Sequence, residues 1–81
     1  MKLLMSILIA VVLVSDIDRI ALINTLKSDA KKAYQSGDFK TAIEKYRLLV
    51  DSLKVNEEEV EMNLANAYFQ VNDSVNATTY Y

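Results

Sequence analysis

The sequence has no cysteine, histidine, proline or tryptophan, and a single glycine among 81 residues. Without cysteine there is no disulfide framework, no thiol nucleophile and no cysteine to carry a lipid. Without cysteine or histidine the common zinc ligand sets are gone. The missing histidine also removes the side chain that most often serves as a general base near neutral pH. One glycine excludes a glycine-rich phosphate loop, which needs several close together. Basic residues are not in excess: nine Lys and Arg stand against eleven Asp and Glu, a formal net charge of −2. That balance lacks the positive footprint of a nucleic-acid binder. No catalytic, cofactor-binding or metal-ligating residue is therefore assigned, and no small-molecule substrate is expected.

What remains is a short chain, 52% apolar, in which Leu, Ile, Ala, Lys and Glu are abundant. With glycine and proline almost absent, that composition favours helix over sheet or disorder. At this length one small domain with a marginal core is the most the chain can form.

The apolar residues are unevenly placed. Residues 1–14 are apolar except for Lys2 and Ser6, and residues 3–14 carry no charge. Helix over that run rises about 18 Å, short of the roughly 30 Å core of a bilayer. A basic residue followed by an apolar stretch of this length fits a secretory signal. Ser15 suits the position before a cleavage point, although Leu13 is bulkier than such sites usually carry. Three readings fit this start: an export signal, an uncleaved anchor touching lipid through residues 3–14, or a buried helix of a cytosolic protein. The first is preferred, and it places the protein in the periplasm or on the extracytoplasmic side of the membrane. Charge divides the rest. Residues 15–54 carry eight basic and six acidic side chains, and residues 55–81 carry five acidic and no basic ones. This polarity fits either two solvated helix faces or a surface that orients a partner.

Past the apolar start, apolar residues recur every three or four positions, the period of an amphipathic helix. Ile20, Ile23, Leu26, Ala30 and Ala33 form the stripe of a first helix over 17–34. Gly37 stands where a left-handed C-terminal cap is needed, and Asp38 follows as an N-cap. A second helix from 39 to about 53 carries Phe39, Ala42, Ile43, Tyr46, Leu49, Val50 and Leu53. Asn56 and Glu59 have the spacing of a capping box. Glu57, Glu58 and Glu59 fill a first turn where the helix dipole favours anions. Consecutive positions diverge around a helix, so these carboxylates are not read as a metal site. The third helix, 57–71, has Val60, Leu64, Ala67, Tyr68 and Val71 as its stripe, with Ala65 alongside. Asn72 and Asp73 repeat the roles of Gly37 and Asp38, and a fourth helix starts at Ser74.

Five landmarks recur at one offset. Ala30 and Ala65, Gly37 and Asn72, Asp38 and Asp73, Ala42 and Ala77, and Tyr46 and Tyr81 are each 35 residues apart. A constant offset of this size marks an internal repeat. Small residues such as Ala30 and Ala42 let antiparallel helices approach closely. Tyr34, Phe39 and Tyr46 fill the space between hairpins, and Gly or Asn followed by Asp makes the tight turn. The run 33–46 resembles the turn and second helix of the tetratricopeptide repeat, a helix–turn–helix unit of about 34 residues. Leu64-Ala65-Asn66-Ala67-Tyr68-Phe69 resembles its first helix. The resemblance covers roughly 23–81, with three departures. Asp29 stands where leucine is usual, no proline closes the first unit near Lys54, and one extra residue lengthens the loop around Val55 and Asn56. An export-type start followed at once by such a unit is also similar to the small tetratricopeptide proteins of bacterial aerotolerance (Bat) operons.

The resemblance implies an all-α fold of antiparallel helix–turn–helix repeats in an α-solenoid, preceded by an apolar signal or anchor helix. The expected organisation is a signal or anchor over 1–15, a first hairpin over 16–54 and a truncated second repeat over 55–81. Such units stack to bury their faces, so the expectation is a piece of a longer array. In the resembled family the first helices of successive units line a groove that holds a peptide or extended segment of a partner. Carried over by position, that groove comprises Lys27, Lys31, Tyr34 and Gln35, then Met62, Asn66, Phe69 and Gln70. The lysines suit partner carboxylates, the amides its backbone, and Tyr34, Met62 and Phe69 its apolar side chains. The competing assignment is that the aromatics pack between repeats and the lysines are simply solvated. The expected function is a non-catalytic protein–protein interaction or scaffolding module at the cell envelope. The alternatives are an accessory helical repeat of a larger enzyme, and a cytosolic adaptor or co-chaperone.

Overall fold

A computed structural model describes residues 16–80; the expected signal or anchor over 1–15 lies outside them. Among the described residues there are four α-helices, one π turn and no strand, so the chain is all-α. Helix α1 is Asp16–Gln35. Helix α2, Phe39–Arg47, runs directly into the π turn Leu48–Ser52. Helix α3 is Glu58–Gln70 and α4 is Ser74–Tyr80. Sequential helices pack on one another: α1 on α2, α2 on α3, and α3 on α4.

The two interhelical turns are built alike. At the first, the N–H of Gly37 donates to the Tyr34 carbonyl at 3.1 Å and that of Asp38 to the Ala33 carbonyl at 2.9 Å. At the second, Asn72 donates to Phe69 at 3.0 Å and Asp73 to Tyr68 at 2.9 Å. Both sets are the paired bonds of a Schellman cap, which satisfies the last helical carbonyls. Gly37 and Asn72 hold the left-handed position, at φ 83° and 62°. Each following aspartate then starts the next helix: Asp38 accepts from the Thr41 N–H at 3.3 Å, and Asp73 from the Asn76 N–H at 3.2 Å. Every one of these bonds recurs 35 residues on.

The core gathers Leu26, Ala30 and Ala33 of α1, Ala42 and Tyr46 of α2, Leu49, Val55, then Val60, Leu64 and Tyr68 of α3 and Ala77 of α4. Ala30 and Ala42 are fully buried, as their role at a close helix crossing requires. One stripe differs sharply between units. Thr25, Asp29 and Lys32 are exposed on α1, whereas Val60, Leu64 and Ala67, 35 residues on, are buried on α3. On α3 that stripe meets the first hairpin. On α1 the same face is polar and open to solvent, so Asp29 is accommodated where leucine was expected.

Several expectations are corrected. Ile20 is not part of the buried stripe; it is 57% exposed, and Ile17 more so. The second helix ends beside this first turn, where the Arg19 guanidinium donates to the Leu53 carbonyl at 2.6 Å, so α1 overhangs its support. Val71 is also exposed, because α3 has ended and Val71 sits in the turn. The third helix is capped at Glu57 rather than Asn56. Glu57 has extended backbone and makes no side-chain cap bond; its carboxylate pairs with Lys27 instead. The second helix does not stay α-helical to Leu53. The Leu53 N–H reaches back five residues to the Leu48 carbonyl at 2.9 Å, and Val55 reaches Leu49 at 2.8 Å. Lys54 takes a left-handed φ of 55° to close this end. A π turn admits one more residue than an α turn, and here it leaves Leu49 and Val55 buried with Val50 and Leu53 beside them.

Helix α4 is fastened to the same π turn. The Tyr80 ring stacks on Tyr68 with centroids 5.8 Å apart. Its hydroxyl lies 3.4 Å from both Asp51 oxygens, and Asp51 also accepts from Arg47 Nε at 3.1 Å. Burial, and then the Asp51 charge, push the Tyr80 phenol above its ordinary range.

Candidate functional site

The candidate residues fall on two helical stripes. Lys27, Lys31, Tyr34 and Gln35 have helical spacing that puts them on one side of α1. Met62, Asn66, Phe69 and Gln70 have the same spacing on α3, 35 residues on. Lys27 is half-buried, Lys31 and Gln35 are exposed, and Tyr34 is half-buried with the Phe39 ring edge-on at 5.2 Å. On α3, Met62, Phe69 and Gln70 are exposed and Asn66 is half-buried.

The helices bring only part of this set together. Lys27 and Lys31 line a small cleft of about 80 Å³ with Tyr46, Glu57, Glu59, Val60 and Asn63. The remaining six candidates lie outside it. Glu57, Glu59, Tyr46 and Asn63 were not among the candidates. The first three were assigned to a helix start or to the core; α1 packing on α2 puts Tyr46 beside Lys27, and α3 packing on α2 brings Glu57 and Glu59 there. No local spacing signals these residues, because they reach Lys27 only through the packing of separate helices.

The cleft is electrostatically mixed. Lys27 is an ion-pair partner of Glu57, which ties the loop before α3 to α1. Their side chains are 33% and 50% exposed, so water screens the pair and its contribution to stability is small. Lys31 makes no ion pair among the described residues, which leaves its ammonium available to a carboxylate from outside. At the floor, burial raises the Tyr46 phenol above its ordinary value. A hydrogen bond from Asn63 opposes that, and the Glu59 charge adds to it. The phenol stays neutral in ordinary conditions and can donate a hydrogen bond.

The arrangement offers recognition chemistry. Two ammoniums, one phenol and two carboxylates line the cleft, one ammonium and one carboxylate being paired with each other, and Met62 and Phe69 are exposed on α3. Among the described residues, no group of three acidic, histidine or cysteine side chains is placed to hold a metal ion. No described helix is long and apolar enough to cross a membrane. No family model, curated protein or solved structure matches the chain.

Proposed function

We propose that this chain is a non-catalytic protein-interaction module of tetratricopeptide type, which holds an extended segment of another protein across α1 and α3. The observation that carries the reading is the recurrence of the turn's Schellman bonds and aspartate cap at an offset of 35 residues. The same stripe of positions recurs on α1 and α3, and both helices contribute residues to the cleft at Lys27 and Lys31. The spacing is one residue longer than the usual unit, and the π turn Leu48–Ser52 supplies a place for it. The mixed cleft at Lys27 and Lys31 and the exposed Met62 and Phe69 then offer polar and apolar contacts to one bound segment.

The same proposal places the module outside the cytoplasm, delivered by the apolar run 3–14, where it scaffolds a complex at the envelope. A reporter active only in the periplasm, fused after residue 20, tests delivery; a silent reporter counts against it. The binding face is tested by photo-crosslinking from Met62 and, as a control, from Leu48 on the outer side of the π turn. Adducts from Met62 and none from Leu48 are expected. Adducts from Leu48 alone would remove the groove assignment.

A further inference from the structure

The two turns agree in backbone but differ in what surrounds them. Tyr34 has the ring of Phe39 edge-on, with centroids 5.2 Å apart and planes at 74°. Phe69 occupies the position of Tyr34 in the second unit, and Ser74 occupies that of Phe39. Phe39 and Ser74 are both the first residue of their helices. Among the described residues no ring pairs with Phe69, and it is 64% exposed. Two further replacements flank the same turn. Val71 stands in place of Ser36 and Val75 in place of Lys40, and these valines are 46% and 77% exposed. Three large apolar side chains are thus exposed within one short stretch of chain.

From this geometry we infer that the end of the groove at Phe69 takes an aromatic side chain of the bound segment, which packs on Phe69 as Phe39 packs on Tyr34. The inference rests on the groove reading and names the chemistry of what occupies it. The chain's own first unit shows that the backbone around such a turn accommodates a ring edge-on to the ring at this position. Edge-on pairing adds to simple area burial and so prefers an aromatic over an aliphatic side chain. The acidic second half of the chain supplies no cation near this end, since residues 55–81 hold no Lys or Arg. Ring packing rather than charge is what this end of the groove offers.

The test is selection of a random-peptide phage library on the full chain, followed by affinity measurement with the enriched peptides. The enriched peptides should share a Phe, Tyr or Trp. Phe69→Ala should weaken them about tenfold or more. Ser74→Phe, which supplies the covering ring in cis, should weaken them similarly, and helical circular dichroism should be unchanged in both variants. Should Ser74→Phe fail to fold, Phe69→Leu replaces it, and binding as tight as that of the parent overturns the inference. Peptides that lack an aromatic, or that bind Ser74→Phe as well as the parent, also overturn it. If those same peptides are lost with Lys31→Glu, the groove reading stands while the inference falls. No enrichment, or binding indifferent to every groove substitution, overturns both. Concentration-dependent mass in sedimentation equilibrium that Phe69→Ala abolishes would assign this surface to a second copy of the chain, and the inference would fall.

Discussion

Gly37 and Asn72 answer one backbone requirement with different side chains. Both hold the left-handed conformation that ends a helix and admits the aspartate opening the next. For a residue with a Cβ that conformation costs about 1–2 kcal/mol, and asparagine tolerates it better than most. The space where a Cβ on Gly37 would point is open, so a substitution there strains the backbone without a clash. Gly37→Val is expected to destabilise the protein by about 1–2 kcal/mol, while Asn72→Gly should hold or raise stability. Thermal unfolding checks both, and an unchanged midpoint for Gly37→Val would contradict the turn's role. Asp38 adds a pH dependence. Hydrogen bonds from the Thr41 side chain and backbone hold its carboxyl below the ordinary 3.8. A carboxyl lowered on folding contributes stability above its unfolded value and loses it as pH falls through the folded one. Asp38→Asn should therefore lessen the fall in stability below about pH 4. Identical acid unfolding curves for parent and variant would refute that assignment.

Between elements, burial decides what a position is worth. Leu64 and Asp29 stand at equivalent places 35 residues apart, one fully buried and the other exposed. Leu64→Ala should cost about 2–5 kcal/mol, and Asp29→Ala should change stability by no more than about 0.5 kcal/mol. Denaturant titration separates the two, and similar losses at both sites would show that the α1 stripe is covered. The same contrast explains how much of the fold was legible. The helices, Gly37, Asn72 and the two aspartate caps could all be read from local spacing, because each solves a problem within one turn of chain. The π turn could not, because apolar period alone does not distinguish an α turn from one holding an extra residue. The exposure of Ile17 and Ile20 was equally hidden, since their period is helical and only the end of the second helix at Leu53 uncovers them. At the candidate site, the stripe positions were carried over by position from the resembled family. The Glu57 pairing with Lys27 could not be: thirty residues separate the two, and the contact forms only when α3 docks.

At the scale of the molecule, the two units share a framework and divide its chemistry. The first carries the cations, including Lys31 at the cleft, and the second carries acidic and apolar side chains, including Met62 and Phe69. On the proposed groove reading, a segment lying across both helices would meet an ammonium at one unit and apolar side chains at the other, which would constrain its composition along its length. The most direct measurement is calorimetric titration of a peptide or protein captured by the full chain. Its affinity is compared across Lys31→Glu and Met62→Asp on the proposed face and Glu44→Ala and Leu48→Asp on the outer side of α2 and the π turn. The groove account predicts losses of about tenfold or more for the first pair and unchanged affinity for the second. Losses confined to Glu44 and Leu48 would contradict it.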